Sequence, residues 1–146
     1  MGDPLGLTPE DLLRALLDDA LVVEVLRTVG TSPGELRVAV ERRWLAALDH
    51  VDEEVLRGRR ADVAALLDAL NSASHELDGV SPVAKAVLGR AVRESAALHA
   101  TSVAAPHLLV ALLAGHDPVV APAAAEIGLR AVDVRRAVAG RGRRAG

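Results

Sequence analysis

The chain lacks cysteine, phenylalanine and tyrosine and holds a single tryptophan. Without cysteine it can form no disulfide, no thiolate metal site and no cysteine nucleophile. Without more aromatic side chains it cannot build a platform that stacks nucleic-acid bases or a cage that encloses a quaternary ammonium group. These absences exclude several classes of binding site before any motif is considered.

Motifs that carry catalysis are also missing from the sequence. Lys85 is the only lysine and lies in a predicted helix, so there is no Gly-rich phosphate loop ending in Gly-Lys-Ser/Thr and no support for ATP hydrolysis. None of the five histidines has a second histidine four positions away, and no Gly-x-Ser-x-Gly sequence occurs. We therefore expect a protein that is not an enzyme and that needs no metal and no cofactor.

Charge argues against a nucleic-acid partner. The net charge is −3, although arginines cluster at residues 57–60 and 141–144. Each cluster is short, and a binder of phosphate backbones is usually basic. We interpret the clusters as helix-end and tail charges, and the alternative is a helical transcription regulator that binds DNA through them.

One stretch has the length of a membrane span. Residues 96–116 contain no Asp, Glu, Lys or Arg, but they include three histidines and Pro106. We interpret this stretch as the end of one helix, a loop and the start of the next helix, with no membrane partner. The first residues, Met1-Gly2-Asp3-Pro4, lack the basic region and apolar core of a signal peptide, so we expect a cytoplasmic protein.

An internal repeat dominates what is present. Leu12, Leu13, Ala15, Leu16 and Leu17 recur at a constant spacing as Leu108, Leu109, Ala111, Leu112 and Leu113. Each copy is followed by an Asp, a short apolar run, a glycine and another helical segment. A long-period repeat of apolar helices is typical of helical repeat proteins that bind other molecules. No segment alternates with the period of a strand, so the predicted fold class is all-α.

Capping signals set the predicted helix boundaries. Thr8-Pro9 begins a helix that runs to about Asp18, and Asp18 or Asp19 caps a second helix that Gly30 ends. The later predicted helices run from Ser81-Pro82 to about Leu98, from His107 to Ala114, from Asp117-Pro118 to Gly128, and from Val132 to Val138.

Two further helices are predicted between the copies of the repeat. Ser32 and Glu35 form a capping box that opens a long helix ending near Gly58. Apolar residues at helical spacing predict a second helix from Asp62 to about His75. The prediction is thus a bundle of about seven or eight helices.

The sequence resembles the Clp repeat, the four-helix unit found twice in the N-terminal domain of Clp-type AAA+ unfoldases. The resemblance rests on the run 81–88, on residues 107–113, on Ile127-Gly128 and on Val134 with Val138. It covers the second repeat from about Ser81 to Val138, and the first only from about Leu7 to Val40. The resemblance implies a pseudo-twofold double-repeat bundle whose first repeat lacks its opening helix.

The missing helix leaves a face of the first repeat to be covered. We expect the inserted helix at Asp62–His75 to fold back over Leu13, Leu17 and Val25, bringing Leu66 and Leu70 against them. Leaving these side chains in water would cost about 1.5–3 kcal/mol each.

The resemblance also implies candidate contact residues. Family members place a Glu before the Leu-Leu pair of each repeat, in a Thr-Glu-His-Leu-Leu pattern, and in some of them these glutamates hold phosphoarginine on client proteins. Here the first repeat keeps Thr8 and Glu10, with Asp11 where the family has His, whereas the second has Pro106 in place of the Glu and keeps His107. The candidate peptide or phosphoarginine contacts are therefore Glu10, Asp11, Thr8 and His107, and one pocket of the pair is expected to be lost.

These expectations define the predicted domain and its role. Residues 1–138 form a Clp-N-like domain, with repeat 1 at about 7–40, the long and inserted helices at 41–78 and repeat 2 at about 81–138; residues 139–146 form a flexible basic tail. The resemblance implies a non-catalytic protein- or peptide-binding module without ATPase modules. Its expected partners are protein or peptide clients, Clp unfoldases and adaptor proteins. We expect it to recognise clients or adaptors for Clp-mediated proteolysis, or to act as a competing or sequestering module.

Overall fold

A computed structural model describes residues 8–47, 62–72, 81–115 and 117–145. Within these ranges the chain forms eight α-helices and no strand, which confirms the all-α prediction. The helices are α1 (Pro9–Leu16), α2 (Ala20–Thr28), α3 (Pro33–Ala47), α4 (Val63–Asn71), α5 (Pro82–Ala97), α6 (Ala105–Ala114), α7 (Val120–Glu126) and α8 (Ala131–Ala145).

Helix α6 lies at the centre of the bundle. Every residue from Ala105 to Leu113 is buried, and the helix contacts α1, α2, α5, α7 and α8. A helix that is apolar on all sides must be enclosed by other helices to bury its surface, and the sequence of α6 meets that description. The Leu-rich segment that stands out in the sequence is therefore the core of the fold.

Helix α1 begins as its capping residues predict. The Thr8 hydroxyl accepts a hydrogen bond from the amide of Asp11 (3.3 Å), and the Asp11 carboxylate accepts one from the amide of Thr8 (3.1 Å). Pro9 occupies the first helical position, where its missing N–H costs nothing. The stripe of leucines that follows is 0–2% exposed, at Leu12, Leu13, Leu16 and Leu17.

Glycines end α2 and α7, one in each predicted repeat. Gly30 after α2 and Gly128 after α7 have positive φ angles of 85° and 74°. In each case the next residue donates to a carbonyl in the last helical turn, Thr31 to Leu26 (3.0 Å) and Leu129 to Ala124 (2.9 Å). Glycine adopts this conformation at no steric cost, so both ends follow from the sequence.

Helix α4 packs against α1, and Leu66 and Leu70 are buried in the same apolar cluster as Leu13. The Asp62 side chain caps the first turn of α4 by accepting from the amide of Ala65 (3.0 Å). The inserted helix thus occurs, ending at Asn71 with Ser72 as its C-cap, while the predicted end at His75 lies outside the described residues.

Helix α3 differs from its prediction at its first turn. The Ser32 hydroxyl accepts from the amide of Glu35 (3.2 Å), as a capping box requires. The Glu35 carboxylate, however, accepts from the Thr31 hydroxyl (2.9 Å), so the reciprocal half of the box is replaced by a side-chain bond. The predicted continuation to Gly58, and the arginines at 57–60, lie outside the described residues.

The C-terminal helix is longer than its prediction. Helix α8 continues through Ala145, whereas the last predicted helix ends at Val138. Gly140 and Gly142 suggested an early end, since glycine costs about 1 kcal/mol in a helix. The intervening arginines and alanines are strong helix formers, and positive charge near a helix C-terminus is favourable.

The charge-free stretch is divided between two helices, as predicted. Helix α5 ends at Ala97, and a loop leads to α6 at Ala105. In the described part of the chain, no helix combines the length and the apolar character that crossing a membrane requires.

Candidate functional site

Two of the predicted contact residues stabilise the start of α1. Thr8 and Asp11 bond to each other's backbone amides, and Asp11 also lies 4.0 Å from the Arg14 guanidinium. Asp11 is 5% exposed, while Thr8 is half-buried. The structure thus places both side chains in the helix cap, where they hold the neighbouring Glu10 in a fixed position.

Glu10 is a buried carboxyl group at the meeting point of α1 and α7. It is 9% exposed, and burial raises its pKa above the ordinary value of 4.5. The negative charges of Asp117 and Asp11 raise the pKa further, while hydrogen bonds to its own backbone and to Thr8 oppose the shift. Among the residues that the structure describes, no ion pair to the Glu10 carboxylate is formed, and a guanidinium is well suited to balance an ionised carboxylate there.

Asp117 is a neighbour of Glu10 that sequence reasoning identified only as a helix cap. Its carboxylate accepts from the amides of Val119 (3.0 Å) and Val120 (2.8 Å), in the turn that leads into α7, whose N-cap is Val119. The contact between α1 and α7 brings it close to Glu10 in space. No local pattern links two residues so far apart in sequence, so only the packing of the helices reveals the pair.

His107 lies at the start of α6, apart from Glu10. It is 6% exposed, and its Nδ1 accepts from the amide of Ala104 (2.8 Å), so the ring caps α6 as Asp11 caps α1. Burial lowers the pKa of His107, and the nearby carboxylate of Glu94 opposes that shift. Glu94 in turn accepts two hydrogen bonds from Arg135 on α8 (2.6 and 3.1 Å). The His107 ring therefore acts as a hydrogen-bond acceptor at the start of α6.

An open groove lies between α3 and α7. Its volume is about 350 Å³. It is lined by Gly34, Glu35, Val38, Ala39, Arg42, Glu126 and Ile127. Ala39 is buried and Ile127 packs against the core, whereas Val38 is 55% exposed at the edge. The groove therefore offers an apolar surface to a bound chain.

Charged groups frame this groove. Glu126 on α7 accepts hydrogen bonds from Arg42 and from Arg43 Nε (3.0 Å), which joins α7 to α3. Exposed ion pairs contribute about 1 kcal/mol or less, so these contacts orient the two helices more than they stabilise the fold. None of the groove residues is among the contact residues that the sequence suggests. The signal that could have drawn attention to Val38 is its apolar side chain on the outer side of α3.

In the described ranges, no three His, Asp or Glu side chains lie close enough together to hold a metal ion. The groove residues include two carboxylates but no histidine, serine or lysine. What the groove can do is bind an apolar segment between charged groups.

Comparisons of the chain with models of known protein families, with curated proteins and with solved structures found no match. The resemblance to the Clp repeat therefore rests on the residues of the sequence alone.

Proposed function

We propose that the chain is a non-catalytic protein- or peptide-binding module that resembles the N-terminal domain of Clp unfoldases. It recognises clients or adaptors for Clp-mediated proteolysis, or it competes with an unfoldase for them. The proposal depends most on one observation. The groups that bond to the helix ends along α1–α2–α3 recur in the same order along α6–α7–α8.

Three pairs of equivalent positions support this proposal. The third residue of α1 and of α6 bonds back to the amide before the helix, an Asp carboxylate accepts from two amides at the start of the next helix, and a glycine of positive φ follows the end of that helix. The pairs are Asp11 with His107, Asp19 with Asp117, and Gly30 with Gly128. Two copies of one supersecondary unit would repeat such devices because each unit needs the same ends.

Helix packing supports it as well. Helix α3 contacts α7, and its counterpart α8 contacts α2, while α1 and α6 contact each other. Reciprocal contacts of this kind are what an approximate twofold axis between two repeats generates. In this arrangement α4 lies on α1 as α5 lies on α6, and we propose that α4 supplies the cover that the missing opening helix would have given.

The binding surface in this proposal is the groove between α3 and α7, where the two repeats meet. A client segment would place an apolar side chain against Val38 and Ile127. Its charged residues would lie near Arg42 and Glu126. Exposed apolar grooves with polar edges are the usual sites of peptide recognition.

Capture from a lysate tests the groove. We expect the wild-type chain to enrich a Clp component or an adaptor, and Val38→Glu to lose that enrichment because it adds a charge to the apolar edge. Val83→Glu is the matched control, since Val83 is as exposed (58%) but lies on α5. Equal capture by both variants, or no Clp component with the wild type, contradicts the proposal.

Glu10 provides a second and separate test. We propose that the first repeat retains a guanidinium site at Glu10 and that the second, with Pro106, does not. Titration with a phosphoarginine peptide should then give one site per chain, and Glu10→Gln should remove it because the amide keeps the shape but not the charge. The unphosphorylated arginine peptide is the control. Binding that is unchanged in Glu10→Gln would exclude this site.

A further inference from the structure

The groove between α3 and α7 carries opposite charges along α3. Glu35, Val38 and Arg42 all line it. They are three and four residues apart in sequence, so they share one face of α3, with the apolar side chain between the two charges. The seven positions from Glu35 to Arg42 correspond to about 10.5 Å along the helix axis. The order along this face is therefore negative, apolar, positive.

The positive end of the groove has more cations than anions. Arg42 and Arg43 Nε (3.0 Å) both donate to Glu126 on α7. Two guanidiniums thus share one carboxylate, which leaves one positive charge in excess. Their side chains are 64% and 47% exposed, and each guanidinium has further N–H groups that can bind a second carboxylate. An acidic side chain of a partner fits this end.

The negative end of the groove is the Glu35 carboxylate. It is exposed and accepts from the Thr31 hydroxyl (2.9 Å), which is a neutral donor. Within the part of the chain that the structure describes, Glu35 forms no ion pair. The partial charges of the two helix ends, about half a charge each, oppose the charges at the ends of the groove but are smaller than them. A basic side chain of a partner fits this end.

The spacing of these charges favours a helical partner. Two residues seven positions apart in an α-helix lie on one face and about 10.5 Å apart along its axis, as Glu35 and Arg42 do. In an extended segment, side chains on one face are about 6.6 or about 13 Å apart, and neither distance matches. In a helix, the third and fourth residues after the first charge lie on the same face and would meet Val38 and Ile127.

We propose that the partner segment is an amphipathic helix with an acidic residue, apolar residues three and four positions later, and a basic residue seven positions later. It lies antiparallel to α3, so its acidic residue meets Arg42 and Arg43 and its basic residue meets Glu35. This direction places the acidic residue nearer the N-terminus of the partner helix and the basic residue nearer its C-terminus, as the helix dipole favours. The proposal names the class of partner for the groove and therefore rests on the proposed function.

Three synthetic peptides test the order of charges. Each has about 15 residues and is stapled on the side away from the groove, because short helices are marginal in water. The first has Glu, two leucines and Lys at the proposed spacing, the second exchanges Glu and Lys, and the third has Gln at both places. Fluorescence anisotropy of labelled peptides measures their binding to the full chain.

The first peptide should bind the wild type about three- to tenfold more tightly than the other two at low ionic strength. The advantage should shrink in about 1 M NaCl, because salt screens exposed charges. Val38→Glu should weaken the binding of all three peptides, since it alters the apolar part of the groove. Equal affinity of the first two peptides for the wild type would overturn the proposed order.

A double-mutant cycle tests the pairing with Glu35. Glu35→Gln and the replacement of the peptide Lys by Gln should each weaken binding about two- to fivefold. The two changes together should weaken it no more than either one alone, because they remove the same interaction. Glu41→Gln is the matched control, since Glu41 is exposed on α3 but does not line the groove, and it should leave the affinity unchanged. Effects of Glu35→Gln and of the peptide change that multiply would exclude this pairing.

The partner class and the proposed function can fail separately. If the three peptides bind equally and Val38→Glu weakens all of them, the groove binds peptides but does not select the order of charges. If no peptide binds the wild type at up to about 1 mM, the groove is not a peptide site, and both proposals fail. Circular dichroism of each variant reports whether it is folded.

Discussion

The Nδ1 atom of His107 accepts a hydrogen bond from the backbone amide of Ala104, with 2.8 Å between the two nitrogens. An imidazole can accept at Nδ1 only while that nitrogen is unprotonated, so this hydrogen bond requires a neutral ring. Burial lowers the pKa of His107 below its ordinary 6.5, and Glu94 opposes the shift without reversing it. Protonation would remove a cap from α6, the helix on which most of the bundle packs.

Stability should therefore depend on His107 at acidic pH. Because the folded pKa is lowered, the unfolded chain binds the proton first, and stability falls as the pH drops through about 6.5. His107→Gln keeps an acceptor suited to the third position of a helix but cannot titrate. We expect the wild type to lose more stability than His107→Gln between pH 8 and pH 5.5, measured by thermal melts.

The matched control for this experiment is His99→Gln, because His99 is exposed and bonds to nothing through its ring in the described structure. Its melts should follow the wild-type pH dependence. If His107→Gln did the same, protonation of His107 would play no part in acid unfolding.

Glu10 should show the opposite dependence. Its folded pKa is raised above 4.5 by burial and by Asp117, so the folded state holds the proton more tightly than the unfolded chain. The contribution of Glu10 to stability is then greatest below about pH 4.5 and is lost as the pH rises through the folded pKa. Glu10→Gln should raise the melting temperature at pH 7.5, and the gain should shrink toward pH 4.5.

Asp68→Asn is the control for this measurement, since Asp68 is exposed on α4 and the same charge is removed. It should leave the melting temperature close to that of the wild type at both pH values. A Glu10→Gln variant that is less stable than the wild type at pH 7.5 would show that the ionised carboxylate is compensated in solution.

Helix boundaries were predictable because the signals that set them are local. The caps Thr8, Ser81 and Asp117 each act within three residues, and Gly128 ends a helix through its own φ angle. The Glu35 carboxylate bonds to the Thr31 hydroxyl and not to the Ser32 amide of the capping box. Both donors lie within four residues of Glu35, so the sequence pattern does not show which of the two bonds is preferred. The end of α8 was missed because two glycines outweighed the favourable residues around them.

The candidate site was less predictable because it depends on contacts between distant segments. The sequence identified Glu10 as a first-turn acid, but the approach of Asp117 that raises its pKa comes from helix packing. The groove between α3 and α7 has the same origin. Val38 lies on the solvent side of a helix whose inner side carried the apolar pattern, so periodicity alone gave it no role.

Asn71 should anchor α4 to the bundle. Its side-chain amide donates to the carbonyl of Val103 (3.0 Å) and accepts from the amide of Val103 (2.9 Å), and Val103 is 6% exposed. Asn71→Ala leaves both backbone groups without these partners, which should lower the free energy of unfolding by about 1–2 kcal/mol. Urea unfolding measures the loss, and hydrogen exchange at the Val103 amide should accelerate.

Asn71→Asp separates the two bonds, because it keeps the acceptor for the Val103 amide and removes the donor. It should fall between the wild type and Asn71→Ala in stability at neutral pH. Protection of the Val103 amide that is unchanged in Asn71→Ala would mean that α4 is held by Leu66 and Leu70 alone.

His99 ends α5 in the conformation that glycine adopts at the ends of α2 and α7. Its φ angle is 57°, and the amide of Ala100 donates to the carbonyl of Ser95 (2.9 Å) as in the two glycine ends. A side chain in this region costs about 1 kcal/mol, so His99→Gly should raise the free energy of unfolding by about 0.5–1 kcal/mol in urea titrations. Gly30→Ala is the reciprocal variant: no atom lies within 4 Å of the added Cβ, so its loss of about 1 kcal/mol reports backbone strain alone. A destabilising His99→Gly variant would contradict this prediction. It would mean that the exposed imidazole contributes more to the free energy of unfolding than the backbone strain at His99 costs.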